Sequence, residues 1–292
     1  MNKIPVGKAI AYAYTFTLAE IGTIIGLAWL PLVLMAVVQF LPFVFGNPMA
    51  PAENATAQGR EQLENLMRSV VLLLLYSVIY VPVMRQALGS RKGTAVIHFA
   101  LGLPELRVFG ALCLFFLLLM VMVTGIGFGG LLLGGLAMAN KSAGFSLLVA
   151  LLVLAAVLGF CYATVRLGFL IVPVAVAEEQ VSLTRGWILA QGNFWRILVV
   201  VMAVLLPLYL VNFIGLVAVV GPQLIAPLPA NTTMAEQAIA ARFGLIGQHM
   251  PAYLGMTLIL APFKIGLSVG AAAFGYRTLA AKPGDGAAPV AG

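Results

Sequence analysis

The residues able to do chemistry in this chain are few, and they stand apart. There are two histidines, His98 and His249, and two cysteines, Cys113 and Cys161. Metal ligation needs three or four converging ligands, and no stretch gathers His, Cys, Asp and Glu at such spacing. No serine or cysteine has a neighbouring histidine to serve as its base. Glu178 and Glu179 form a carboxylate pair, but adjacent residues on a helix point apart and cannot face one substrate together. Gly125-Ile126-Gly127-Phe128-Gly129-Gly130 matches a dinucleotide fingerprint. That fingerprint works only where a strand delivers a phosphate to a helix N-terminus, and here it follows a long apolar run. Close helix packing, or a turn near Gly134-Gly135, is the expected role of these glycines. No nucleophile, base and electrophile assemble, so the expectation is a protein that is not an enzyme, with no cofactor and no metal.

Two cations remain, Arg166 and Lys264, each inside an apolar run. A charge in a membrane span costs about 2.5–3.5 kcal/mol on insertion scales, so each must be compensated. One reading is an inward-facing cation that holds a lipid phosphate or another anion. The other is a cation satisfied by carbonyls freed at Pro262 or Pro173, or by a polar partner. No carboxylate lies deep in any apolar run to pair with either.

The elements that must carry these residues follow from composition. The chain has 292 residues, of which 62% are hydrophobic and 9% charged, with a mean hydropathy of +1.09. A soluble domain carries about 25% charged residues, so this chain cannot clothe a globule for water. A bilayer-crossing helix needs about 20 mostly apolar residues. Six runs qualify: Ile21 to Phe45; Ser69 to Met84, extended by Leu63 and Leu66; Val108 to Leu133; Phe145 to Ala177; Ile197 to Val220; and Tyr253 to Tyr276. The fold class expected is an all-α polytopic membrane protein, one domain over 1–281 with a disordered tail over 282–292. No cleavable signal is evident before Ile21, so the first span is expected to serve as its own signal.

The net charge of +7 follows the loops. One side receives Lys3, Lys8, Arg85, Arg91, Lys92, Arg107, Arg185, Arg196, Arg277 and Lys282; the other receives Arg60, Arg68, Lys141 and Arg242. This ten-to-four bias is that of membrane orientation, with both termini in the cytoplasm, rather than of a nucleic-acid surface. The same topology puts His98 and His249 on opposite sides. Two glycosylation sequons, at Asn54 and Asn231, fall in the outer loops.

The chain also repeats roughly every 90 residues, as units 1–88, 89–178 and 179–281. Gly7-Lys8, Lys92-Gly93 and Arg185-Gly186 each precede a span, and Leu-Pro-Leu recurs at 30–32 and 206–208. In the third unit Leu183, Trp187, Ala190 and Phe194 lie on one helical face. Each unit is thus expected to be an interfacial helix, apolar side down in the headgroup layer, followed by a membrane hairpin.

One stretch carries a resemblance. Tyr162 and Arg166 precede Pro173; Glu178-Glu179 follow; Leu183-Thr-Arg185-Gly-Trp187 leads to Gln191-Gly192-Asn193-Phe194-Trp195-Arg196. This resembles the N-terminal membrane domain of bacterial glycerophosphoryl diester phosphodiesterases and related stand-alone six-helix membrane proteins. Phe274-Gly275-Tyr276-Arg277 is similar to the close of those domains, without their usual acidic residue. The resemblance implies six helices in a bacterial inner membrane. It does not imply the phosphodiesterase, whose chemistry belongs to a separate soluble barrel. Two functions stay open: a module in which Arg185, Arg196, Trp187 and Trp195 meet lipid headgroups or a membrane partner, and a transporter or lipid-moving protein built around Lys264 and Arg166.

Overall fold

The computed structural model describes residues 2–45, 55–90, 99–140, 143–227, 229 and 232–281. Outside these lie both sequon asparagines, His98, Arg91, Lys92, Lys141 and the 282–292 tail, and with Lys92-Gly93 the middle copy of the expected interfacial helix. Among the described residues the fold is all helix, and six helices are long and apolar enough to cross a bilayer. The chain is an all-α polytopic membrane protein.

The helices are α1 (Val6–Ala19), α2 (Ile21–Phe45), α3 (Ala55–Ala87), α4 (Leu103–Asn140), α5 (Ala143–Gly168), α6 (Ile171–Ala177), α7 (Leu183–Leu189), α8 (Phe194–Val220), α9 (Thr232–Gln248) and α10 (Met250–Ala280). The two described ends meet. Asn2 donates its side-chain amide to the carbonyls of Thr278 and Ala281, at 3.2 and 2.8 Å. Both described ends thus lie at one end of the bundle, the terminal end. The starts of α2, α4 and α8 and the ends of α3, α5 and α10 gather there, as six alternating spans require.

α10 is the centre. It packs on α1, α2, α3 and α8, while α4 and α5 pair with each other at the periphery. Small residues permit the closest of these approaches. α1 buries Ala9, Ala13, Phe16 and Thr17, one stripe at helical spacing, against Gly266 and Gly270 of α10. A Cβ added at Gly270 would stand 3.1 Å from the Ala13 Cα. Most leucines of α4 and α5 are instead exposed, Leu131 at 78% for example. Such a surface belongs in hydrocarbon, where helices keep their backbone bonds internal.

Three elements differ from the sequence expectation. The fourth apolar run is not one helix, because α5 stops at Gly168 and α6 resumes at Ile171. Pro173 explains the break: it has no N–H to offer the Phe169 carbonyl, and its ring would clash there. The seven residues of α6 then sink inward, with Ile171 to Ala175 buried. α4 runs on through Gly134-Gly135 to Asn140, with no turn. Its glycines do not pack closely either: added Cβ atoms at Gly125, Gly127, Gly129, Gly134 and Gly135 would meet nothing within 4 Å. The third difference is α9, which fills much of the segment between α8 and α10.

Candidate functional site

The residues of the 162–196 motif converge on the terminal end, where they bind one another. Arg166, 6% exposed, lies in the last turn of α5. Its Nη2 and Nε donate to the Trp187 carbonyl at 2.9 and 3.2 Å, and its Nη1 donates to the Tyr162 hydroxyl at 2.8 Å. Its guanidinium also sits 3.9 Å from the centroid of the Trp187 ring. A planar guanidinium suits this combination of stacking and forked donation. The result ties α7 to the end of α5. Leu183 and Trp187 are half-buried and Gly186 and Ala190 buried, so this face of α7 turns onto the protein's own α5 and α6. Ile188 and Trp195, 49% and 73% exposed, are among the bulky apolar side chains left uncovered here.

The other motif cations are likewise occupied. Arg185 Nε reaches both Glu178 carboxylate oxygens, at 3.0 and 3.1 Å. Glu178 also accepts from the Tyr276 hydroxyl at 3.3 Å. Glu179 turns away with φ 52° and pairs with Arg107 at 2.9 Å. Arg196 donates to the Ile4 carbonyl at 2.8 Å. Asn193, buried, accepts from the Ile4 N–H at 3.1 Å and donates to the Asn2 carbonyl at 3.1 Å. Arg277 donates to the Ala87 carbonyl at 2.6 Å. These contacts pin the N-terminal segment, α3, α7, α8 and α10 together at one end.

Lys264 stands elsewhere. It is sixteen residues before Ala280, or about 24 Å along α10 at 1.5 Å per residue. Its side chain is exposed, into a cavity of about 240 Å³ bounded by α2, α3, α8 and α10. Its ammonium is 5.0 Å from the centroid of the Tyr209 ring. Gln39, Tyr76, Tyr80, Asn212 and Thr257 bring further polar groups to the same wall. Thr257 Oγ1 is buried with no hydrogen-bond partner among the described residues. None of the described lining residues is acidic. α2 and α8 each pack on α10, with no extensive contact between them. The cavity lies in the fork they leave.

No family model, no curated protein and no solved structure matches the chain. The chemistry of the cavity is therefore read from its own groups. A lysine ammonium, phenol hydroxyls and two carboxamides are hydrogen-bond donors, suited to a phosphate or carboxylate. They line a space bounded by four of the apolar helices, where an anion has few other partners.

Lys264 was a candidate from its type and depth alone; its neighbours were not. A signal for them exists. Tyr76 and Tyr80 are four apart on α3, and Tyr209 and Asn212 three apart on α8. Each pair therefore shares a helix face inside an otherwise apolar span. Arg166 and Lys264 are not brought together. Arg166, Arg185, Arg196 and Trp187 join the terminal-end network, and Lys264 faces the cavity.

Proposed function

We propose that this chain is a non-catalytic integral membrane protein that binds the headgroup of an anionic lipid or a similar amphipathic anion at Lys264. The observation that carries the reading is the cavity itself: an intramembrane ammonium beside tyrosines and amides, with no acidic residue among its described lining. A cation left at that depth without an anion is costly, and a bound headgroup would offset the cost. The terminal-end arginines support the reading indirectly, because their donors already serve the protein. In this proposal the membrane is a bacterial inner membrane, both termini are cytoplasmic, and Trp195 and Ile188 anchor the terminal end among the headgroups. The likeness to the phosphodiesterase membrane domain belongs to the same proposal, as a likeness of scaffold and not of chemistry.

A lipid-moving role is the second reading. The fork between α2 and α8 favours it, since it would let an amphiphile enter sideways from the bilayer.

Native mass spectrometry of the purified protein tests the headgroup reading. Wild type, loaded with phosphatidylglycerol and then washed, should retain the lipid. Lys264→Met should retain at least tenfold less while staying folded. An equal lipid complement in a stable Lys264→Met variant would overturn the proposal. It would leave Lys264 as a cation compensated by Tyr209 and its own helix.

A further inference from the structure

A second cavity, of about 460 Å³, adjoins the first. The two share Tyr76, Tyr80 and Leu205 as a common wall. The second reaches from there toward α4, α5 and α6, and its lining is of a different kind. Leu112, Phe115, Val165 and Val172 are typical of it. Apart from the shared tyrosines, only Thr164 and Ser268 bring polar side chains, and both hydroxyls are spent on their own helices. Thr164 donates to the Phe160 carbonyl at 2.8 Å and Ser268 to the Ile265 carbonyl at 3.0 Å. The second cavity thus offers a hydrocarbon lining, while the first offers a cation, phenols and amides.

The geometry points to a single ligand occupying both cavities. This is an anionic lipid whose phosphate or carboxylate meets Lys264 in the first and whose acyl chain lies in the second, past Tyr76 and Tyr80. The inference rests on the headgroup reading above and adds the place of the chain. Three features require the pairing. A polar cavity with a cation and an apolar cavity with no unspent donor match the two ends of an amphiphile. Their shared wall is made of phenol rings, which present an apolar face and a polar tip. Tyr76 and Tyr80 are also packed on each other, 6.1 Å between centroids, and each borders both cavities, so a chain following their ring edges leads from one to the other.

Photolabelling of the full chain in detergent, after loosely held lipid has been washed away, tests the placement. The probes are phosphatidic acid and palmitate, each with a diazirine near the end of an acyl chain. Adducts are expected on Leu112, Phe115 and the 165–172 segment. They should fall at least fivefold in Ala272→Phe, which fills the second cavity. Thr164→Phe, at a half-buried position on another wall, is a second block should Ala272→Phe fail to fold. Labelling by palmitate alone would identify a carboxylate head, and labelling by phosphatidic acid a phosphate; either supports the joint site. Adducts confined to the lipid-facing leucines of α4 and α5, unmoved by a folded blocking variant, would overturn it. With those scattered adducts, lipid loss in Lys264→Met would still uphold the headgroup site alone. Adducts in the second cavity that do not change in Lys264→Met would sink the headgroup reading and the joint site together.

Discussion

Arg166 and Lys264 are both cations within apolar runs, and the fold compensates them in opposite ways. Arg166 is enclosed: a carbonyl, a hydroxyl and an indole face take up its charge. Lys264 has one phenol and an open space. The difference is not visible in the chain, where each is a lone basic residue a few positions from a proline. It arises from Trp187, 21 residues after Arg166, whose carbonyl no sequence pattern marks as an acceptor. The expected consequence is a difference in stability. Arg166→Met removes three charged donors and strands the Trp187 carbonyl, which should lower stability by about 2–3 kcal/mol. Arg166→Lys should recover only part of that, because an ammonium cannot fork or stack as a guanidinium does. Thermal unfolding in a fixed detergent checks both. A melting temperature for Arg166→Met equal to wild type would show that the α5–α7 tie adds nothing to stability.

Among the elements, the spans themselves were legible and their ends were not. α2 begins and ends where its apolar run does, with Glu20 just before it and Gly46-Asn47-Pro48 next in the sequence after it. α3, α4 and α10 outrun their apolar cores by several residues, since a helix can continue past the hydrocarbon at little cost. The stop between α5 and α6 could be anticipated from Pro173; the burial of α6 could not, because it depends on α3 and α4. Glycines show the same divide. Gly125, Gly127 and Gly129 match a motif and stand in open space, whereas Gly266 and Gly270, four apart on α10, carry the crossing of α1. Gly270→Val should therefore destabilise by about 1–3 kcal/mol through overpacking. Gly127→Ala should be neutral, or stabilising by up to about 1 kcal/mol from helix propensity. Comparing the melting temperatures of the two variants decides it. A larger loss for Gly127→Ala would mean that α4 meets a partner along that edge.

For the whole molecule, the bond between Asn2 and the end of α10 fixes both described ends on one side. Which side of the membrane that is follows from charge alone. Single-cysteine variants at Ala52, Ser90 and Ala235, with Cys113 and Cys161 replaced, give the measurement. A membrane-impermeant thiol reagent applied to intact cells should label positions 52 and 235 and spare position 90. Labelling of position 90 alone would invert the orientation and place Arg166 and its network outside. The cavity lined by Gln39, Asn212 and Thr257 lies toward the end away from the termini. In the expected orientation an amphipathic anion would then sit nearer the outer leaflet.

The packing of α1 on α10 also sets an order of events during synthesis. α1 leaves the ribosome first among the described helices, and α10 leaves it about 240 residues later. At roughly 5–20 residues per second, α1 waits on the order of 12–50 s before its main partner exists. Throughout that interval its small-residue stripe lacks Gly266 and Gly270, while α8, on which α1 also packs, is made earlier. The bundle therefore closes only when translation is nearly complete. A ribosome stalled before α10 would leave five spans inserted and the N-terminal helix held by α8 but without its main partner.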